Sequence, residues 1–331
     1  MSRLSATSSR IATSSAKRVT WLRRLRFFLS VRPLRESEYL GGAAIVAAHL
    51  RGLGARVHLL TALSSDPASR KLVDRLSGTG IHLMSWQRSA PVPTKERYFA
   101  DTQKLLKVDR GYAQPLDSAI EGQLIGALGD VADDLDAVVF CDYGYGLLSH
   151  SLLSRALPVL RPRVGTIAGD VSGPRRTLLD MADFDLLTPT ERELRAVSGD
   201  FEVSLPGVAM RLMRKLRVAN LAVTMGHRGC VLFRPREGNR DGWFGSRLRS
   251  EYVPSLSGRV VDTVGAGDAF LAAATLALAF GSGLNRAGYV GAAAAGLELE
   301  RLGNEPVDTE ALLGWLRFRP ELRDRANSAT A

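Results

Sequence analysis

The chain has 331 residues, of which 45% are hydrophobic and only 7% aromatic, with 32 glycines, and this composition favours an α/β enzyme over an all-β sandwich. The two cysteines lie far apart at Cys141 and Cys230, which excludes a disulfide scaffold or a Cys-rich zinc module and suits a reducing compartment. The net charge of +10 comes mostly from the N-terminal segment, because residues 1–35 hold nine Lys or Arg and no acidic residue. The remainder carries 35 basic and 34 acidic residues and is nearly neutral, which argues against nucleic-acid binding as the main function.

The first 35 residues are predicted to be a basic, Ser- and Arg-rich tail outside the folded domain. The apolar run from Trp21 to Leu29 is too short to span a bilayer, so no membrane span is predicted. Three interpretations stay open: an organellar transit peptide, a disordered extension, or a start codon assigned too early. Because no first strand is recognisable in this stretch, we expect one domain over residues 36–320 and a short tail over 321–331.

Apolar strands then alternate with helix-length segments. Helices are predicted at 40–50, 67–76, 266–280, 286–299 and 309–316. Strands are predicted at 56–63, 81–86, 94–99, 104–109, 137–141, 164–168, 184–187, 220–224 and 259–261. This alternation indicates βαβ units, and therefore a mostly parallel sheet covered by helices on both faces.

Ligand sites in such sheets lie at the carboxyl ends of the strands, so the polar residues that follow the strands are the candidates. Asp142, Asp170, Glu193 and Asp268 supply several carboxylates there, as a magnesium–nucleotide site requires. For Asp142 and Asp170 two interpretations stand with equal weight, as ligands of sugar hydroxyls or magnesium and as caps of strand ends.

The strongest motif is the nonapeptide Asp262–Phe270, at the start of a long Ala-rich helix. Gly265 and Gly267 allow a tight turn whose N–H groups, together with the helix N-terminus, form an anion site. Asp268 falls in the first helical turn, where a carboxylate can accept the proton of an attacking hydroxyl while the amides stabilise a phosphoryl group. An Asp that merely caps a helix is the simpler alternative.

This nonapeptide resembles the second signature of the ribokinase-like, or PfkB, carbohydrate kinases. Residues 41–44 are similar to the first signature of that family, and residues 223–230 to its T-x-G-x-x-G nucleotide turn. Within the family the chain most resembles the heptose 7-phosphate kinases of bacterial lipopolysaccharide synthesis. That likeness lies in residues 94–97, 103–109, 141–146 and 187–189, and the whole resemblance runs from about residue 36 to about residue 317.

The resemblance implies a three-layer α/β/α fold with a mostly parallel central sheet and a small β-lid whose strands lie within about 81–109. It implies ATP-dependent phosphorylation of a sugar or sugar phosphate, with ATP and Mg²⁺ as cofactors and a monovalent cation as an optional third. A cytoplasmic location and a homodimer formed through the lid are further expectations.

The same resemblance assigns roles to individual residues. Asp268 would be the general base, and Gly265, Ala266 and Gly267 the anion hole. The nucleotide side would comprise Thr190, Glu193, Thr224, Gly226 and Gly229, with Glu193 orienting magnesium-bound water. The sugar side would comprise Gly41, Gly42, Lys95, Arg97, Gln103, Lys107, Asp142 and Asp170. The three cations among them suit a sugar phosphate, and their alternative role is a solvated face of an edge strand.

The chain also departs from the family pattern, mostly on the sugar side. Ile45 stands where the family has a sugar-binding Asn, Tyr145 replaces a Lys, and Thr190 and Ala292 each replace an Asn. The first strand normally carries an acidic sugar-binding residue, and residues 1–35 contain no acid. A catalytically impaired sugar- or nucleotide-binding relative with a degraded sugar pocket is therefore the alternative to an active kinase.

Overall fold

The computed structural model describes residues 2–3, 6–14, 33–100, 103–173, 175–236 and 247–322, without the side chains of 2–3, 6–14, 33, 103 and 104. The strands, in chain order, are β1 (Ser2–Arg3), β2 (Ala6–Ser14), β3 (Pro33–Gly42), β4 (Val57–Leu63), β5 (Ile81–Gln87), β6 (Thr94–Ala100), β7 (Gln103–Arg110), β8 (Ala137–Asp142), β9 (Thr166–Val171), β10 (Leu186–Leu187), β11 (Leu221–Thr224), β12 (Cys230–Pro235) and β13 (Leu248–Val253). The helices are α1 (Ala43–Gly52), α2 (Pro67–Leu76), α3 (Ser118–Val131), α4 (His150–Leu160), α5 (Glu191–Ser198), α6 (Leu205–Leu216), α7 (Ala266–Ala279), α8 (Leu284–Leu299) and α9 (Thr309–Arg317).

Within the described residues, nine strands form the central sheet in the order β13-β12-β11-β10-β9-β8-β1-β4-β5. Its strands from β11 to β5 run parallel, and β12 and β13 add an antiparallel edge. Buried side chains alternate between its two faces, as the pleat of a strand requires. Along β8, Val139 and Cys141 belong to the core on one face, whereas Val138 and Phe140 belong to the core on the other.

Helices cover both faces of this sheet, which gives the three-layer α/β/α arrangement expected from the sequence. Buried residues of α1, α2, α7, α8 and α9 form the core on one face, and those of α3, α4, α5 and α6 form the core on the other. Among the described residues, no helix combines the length and the apolar character that crossing a membrane demands.

A second, four-stranded sheet, here called the lid, has the order β3-β2-β6-β7. Its strand β3 leads directly into α1, and the change of direction occurs at Gly42, whose φ is +57°. A positive φ is costly for residues with a Cβ, so glycine suits this junction. This β3–α1 junction connects the lid to the body, and Gly41 and Gly42 at the junction line the cavity described below.

The structure corrects the expectation that residues 1–35 lie outside the domain and hold no strand. Strand β1 pairs with β4 and β8 inside the central sheet, and β2 pairs with β3 and β6 inside the lid. Residues 15–32 lie outside the described residues. The segment of β2 is rich in Ser and Thr, and backbone pairing on both sides forms this strand without the apolar alternation that sequence patterns require.

Three smaller boundaries also differ. The segment 81–87 was expected in the lid but belongs to the central sheet as β5, so the lid takes its other two strands from the N-terminal region. The predicted helix at 40–50 begins at Ala43, because Leu40–Gly42 end β3. Residues 259–261 are not a strand: β13 already forms the sheet edge, and Val261 donates its N–H to the carbonyl of Leu299 at the end of α8.

Candidate active site

A cavity of about 390 Å³ lies between the lid, the carboxyl ends of the central strands and the start of α7. Most of the residues singled out from the sequence line it. They are Gly41, Gly42, Lys95, Arg97, Lys107, Asp170, Thr190, Glu193, Thr224, Gly265, Gly267 and Asp268. Parallel strands bring their carboxyl ends to one edge, which is why residues more than 200 positions apart meet here.

Asp268, in the first turn of α7, receives a hydrogen bond from the Tyr143 hydroxyl to its Oδ1 at 2.6 Å. Burial raises the pKa of Asp268 to about 6, against the opposing effects of this hydrogen bond and of the Lys95 ammonium. A carboxylate with this pKa is unprotonated at neutral pH and holds a proton more readily than an exposed Asp. These are the properties of a general base.

The loop before α7 is the segment in which the nonapeptide predicts an anion site. Gly265, with φ +86°, precedes the helix, and its carbonyl accepts the first helical bond from Ala269 N–H at 2.8 Å. The N–H groups of the intervening first turn have no partner within the helix ladder, as at any helix start. Gly265 and Gly267 line the cavity, whereas Ala266 is not among its lining residues.

Three cations of the lid line the same cavity as Asp268. Lys95 and Arg97 lie on β6, and Lys107 lies on β7 opposite Arg97. Arg97 is buried and its Nη1 has no hydrogen-bond partner within the described residues. Burial, and next the charge of Lys107, lower the pKa of Lys95. Positive charges held this close together favour an anionic ligand, since each disfavours the charge of the other.

Asp170 and Glu193 form the acidic side of the cavity. Asp170 Oδ1 accepts a hydrogen bond from the Thr188 hydroxyl at 2.9 Å, and burial with the charges of Glu193 and Asp268 raises the pKa of Asp170 well above its usual range. Glu193 closes a capping box with Thr190 at the start of α5, and its Oε1 accepts the Gly173 N–H at 2.6 Å. Mutual repulsion among these carboxylates would be relieved by a cation.

The T-x-G-x-x-G turn lies at the junction of β11 and β12. Thr224 lines the cavity, forms a bridge with Thr190 and donates its N–H to the Pro189 carbonyl at 3.0 Å. Gly226 and Gly229 have positive φ and lie in the turn beyond the cavity wall. A Cβ on Gly229 would lie 2.2 Å from the Val253 carbonyl oxygen, so this turn requires glycine.

Asp142 is not among the residues that line the cavity, and its role on the sugar side stays a prediction. Its Oδ1 accepts the Gly144 N–H at 2.7 Å, and its Oδ2 accepts the Thr177 hydroxyl. The buried carboxylate therefore fixes the loop after β8, which is the strand-capping role that the sequence left as the alternative. The side chain of Gln103 lies outside the described residues, so its predicted role stays a prediction.

Two residues of the site escaped the sequence analysis. Tyr143 donates a hydrogen bond to Asp268, and its position directly after strand β8 was the available signal. Asn304 lines the cavity, donates from Nδ2 to the Leu40 carbonyl at 2.9 Å and leaves its buried Oδ1 without a donor within the described residues. Nothing in the local sequence indicates that Asn304 would return to the loop of Gly265.

The sequence profile of the pfkB family carbohydrate kinases matches residues 29–310 of the chain. The chain belongs to this family. The "Bifunctional protein HldE" of Geobacter metallireducens is 29% identical over 290 residues, and that of Azorhizobium caulinodans is 31% identical over 273 residues. These matches cover 86% and 81% of this chain but 56% and 54% of the relatives, so the chain spans about half their length.

Solved structures share the fold of this chain. Phosphofructokinase-2 from Escherichia coli in complex with potassium has a TM-score of 0.76 at 14% identity and covers 96% of this chain and 97% of its own. Ribokinase from Arabidopsis thaliana, complexed with ribose and ATP, has a TM-score of 0.71 at 19% identity, with 96% and 98% covered. At these identities the likeness concerns the fold.

Proposed function

We propose that this carbohydrate kinase transfers the γ-phosphoryl group of ATP to a hydroxyl of a phosphorylated sugar, with heptose 7-phosphate as the leading candidate. One observation carries the proposal: a base whose pKa is raised to about 6 stands beside an anion-binding loop, and three lid cations face it across one cavity. The named relatives, both called HldE, favour the heptose among phosphorylated sugars.

The roles of the residues follow from this arrangement. Asp268 would accept the proton of the attacking hydroxyl, while the N–H groups at the start of α7 would hold the charge on the transferring group. Such electrostatic positioning accounts for most of the catalysis in phosphoryl transfer, which needs little covalent chemistry from the protein. Thr190 and Thr224 would face the nucleotide from the ends of their strands.

The acidic side of the cavity suits magnesium. Asp170 and Glu193 are close enough for the charge of Glu193 to raise the pKa of Asp170, and a hard cation bound through water and phosphate oxygens would relieve that repulsion. Asp170 would hold the ion more directly than Glu193, whose two oxygens already accept three hydrogen bonds. Magnesium would neutralise charge on the phosphates of ATP.

The lid cations would recognise the phosphate already present on the acceptor. Lys107 is half-exposed and paired with Asp109 at 2.8 Å, so it can turn toward an anion at little cost. Arg97 is buried, and its Nη1 has no hydrogen-bond partner among the described residues, so a phosphate oxygen would give this donor an acceptor.

The test compares acceptors with and without a phosphate in a coupled ADP-release assay. Lys95→Ala and Lys107→Ala should each raise the KM for heptose 7-phosphate by roughly tenfold or more, and change the KM for the unphosphorylated heptose much less, because each removes a charged hydrogen bond. Lys71→Ala is the matched control, since Lys71 lies on α2, outside this cavity, in an exposed pair with Glu38. Equal changes in the KM for both sugars would contradict phosphate recognition and would show that these lysines only position the lid.

A second candidate is a relative that binds the nucleotide but phosphorylates the sugar poorly. Ile45 favours this candidate, because its side chain is aliphatic and cannot donate or accept a hydrogen bond from a sugar. It lies on α1 and is fully buried in the core. Calorimetry with Mg-ATP and the same ADP-release assay separate the candidates. Nucleotide binding with little turnover of heptose 7-phosphate would support the impaired relative, and absence of nucleotide binding would contradict both.

A further inference from the structure

Tyr143 connects three parts of the site. It follows strand β8, is only 8% exposed and lies at the cavity wall. Its hydroxyl donates to Asp268 Oδ1 at 2.6 Å, and its ring centroid lies 5.9 Å from the Lys95 Nζ of the lid. A tyrosine in this position therefore touches both the base and the cation opposite it.

The hydrogen bond constrains the Asp268 carboxylate. A bond from a hydroxyl to an ionised oxygen is shorter and stronger than one between neutral groups, and 2.6 Å is within that short range. The Tyr143 ring packs in the core beneath the cavity, so the hydroxyl has little freedom to follow the carboxylate. Among the described residues, Oδ2 of Asp268 accepts no hydrogen bond and stays available to an acceptor hydroxyl.

The face of the same ring fixes the lid cation. Lys95 Nζ lies 5.9 Å from the Tyr143 centroid and 5.8 Å from the Tyr145 centroid, both within the reach of a cation–π contact. Tyr145 stands where the family resemblance implies a lysine, so a second aromatic face replaces a second cation at this point. The ammonium is thereby held on the side of the cavity where Asp268 lies.

On the basis of the proposed kinase function, we propose that Tyr143 is the positioning residue of the base: its hydroxyl fixes Asp268 with Oδ2 toward the acceptor, and its ring holds the Lys95 ammonium beside that carboxylate. Tyr143 acts through Asp268 and takes no part in the transfer itself. No bond to the substrate is needed for this role.

The surroundings of Asp268 give this role a measurable signature. Its charged and titratable neighbours are Lys95 on β6, Cys141 on β8 with Tyr143 directly after that strand, Asp170 on β9 and Glu298 on α8. Of these, the Tyr143 hydrogen bond and the Lys95 charge lower the pKa of Asp268. Removing the hydroxyl should therefore raise the pKa of Asp268 above 6, while the loss of a structural contact alone would not move it.

The experiment compares Tyr143→Phe with Tyr145→Phe. Both variants lose one hydroxyl and keep the ring against Lys95, but only the Tyr143 hydroxyl is bonded to Asp268. The pKa of Asp268 is read directly from its carboxyl carbon-13 resonance during a pH titration, with the signal assigned through Asp268→Asn. In parallel, kcat/KM for the acceptor is measured from pH 5 to 8.

We expect Tyr143→Phe to shift the titration of Asp268 upward by about one pH unit, and Tyr145→Phe to leave it in place. Such a shift lowers kcat/KM by roughly tenfold at pH 5 and by about twofold at pH 7. An unshifted resonance in Tyr143→Phe, or an equal shift in both variants, would overturn the proposal. Because the resonance is observed without turnover, an inactive parent would count against the kinase function and leave this test intact.

Discussion

Two opposing electrostatic effects set the pKa of Asp268. Burial disfavours its charge, and the Tyr143 hydroxyl and the Lys95 ammonium favour it, so that its pKa comes to about 6. A general base works best when its pKa lies near the working pH, because it is then both unprotonated and able to hold the transferred proton. The balance depends on the lid, which brings Lys95 to the site.

Replacing Asp268 by Asn should remove the base without disturbing the anion-binding loop. We expect turnover to fall by about 10²–10⁴-fold with nearly unchanged affinity for Mg-ATP. For the parent enzyme, kcat/KM should decrease as the pH falls below about 6, because protonated Asp268 cannot accept a proton. Steady-state kinetics and calorimetry check both points, and a loss below about fivefold would return Asp268 to a helix-capping role.

Glu298, in α8 behind the Gly265 loop, is a second unusual carboxyl group. It is fully buried, burial raises its pKa to about 8, and neither oxygen has a hydrogen-bond donor in regular geometry among the described residues. Its Oε1 and Asn304 Oδ1 lie 3.0 and 1.8 Å from the position that a Cβ on Gly265 would occupy. Two side-chain oxygens thus converge on one glycine.

The Glu298→Gln variant should be more stable than the parent at alkaline pH. A folded-state pKa near 8 lies above the unfolded value near 4.5, so the folded protein binds the proton more tightly and loses stability as the pH rises between these values. Glutamine removes this dependence and offers an amide donor to Asn304. Thermal unfolding should show a higher Tm for the variant at pH 8 and a smaller difference at pH 5, and a constant difference across pH would contradict this account.

At the scale of secondary-structure elements, the junction of the anion loop with α7 depends on its first glycine more than on its second. A Cβ on residue 265 would clash with Asn304 Oδ1, and the substituted residue would have to keep the backbone φ of +86°. A Cβ on Gly267 would meet no atom of the described residues within 4 Å. Gly265→Ala should therefore lower both stability and turnover strongly. Gly267→Ala, the matched control, should fold normally, and circular dichroism melts of the two variants would show whether the difference exists.

The elements that the sequence predicts well are the apolar ones. Five elements lie within about two residues of their predicted bounds: strands β4, β8 and β11 and helices α2 and α7. Continuous hydrophobic runs predict where these buried elements lie, and a capping residue such as Asp66 predicts where a helix begins. Strand β2 was missed, since Ser and Thr flanked by two partner strands leave no apolar period. Val260 and Val261 led to the opposite error, a predicted strand that the structure does not contain, because both valines are exposed.

The same limit applies to the site. The nonapeptide predicts Asp268 and its glycines, because that chemistry resides in one continuous loop. For Asp142 the sequence left a sugar or magnesium ligand and a strand-end cap open. Its carboxylate accepts hydrogen bonds from Gly144 and Thr177, and which of two strand-end aspartates lines the cavity depends on the loops that follow. Tyr143 and Asn304 reach the site from distant segments, and only the folded chain brings them there.

At the scale of the whole molecule, the N-terminal residues are part of both sheets. Strand β2 occupies the position between β3 and β6, and β6 carries Lys95 and Arg97. Deleting residues 1–14 should therefore lower the Tm and raise the KM for a phosphorylated acceptor, whereas the loss of a dispensable tail would change neither. Thermal unfolding and kinetics of the shortened chain distinguish these outcomes.

The pairing of β1 on both of its sides has a consequence for how the protein opens. Among the described residues, Ser2 and Arg3 of β1 join the β4–β5 pair to β8 and the strands beyond it. The junction of β4, β1 and β8 is here called the seam, and the two halves of the central sheet separate there when β1 leaves. In deuterium exchange, amides of Leu59, Leu60, Val139 and Phe140 that face the seam should therefore exchange sooner in a chain without residues 1–14 than in the full chain, whereas amides shared by β4 and β5 should keep their rate. Ligands that bridge the lid and the body would slow this exchange, so the seam reports on occupancy of a cavity that it does not touch.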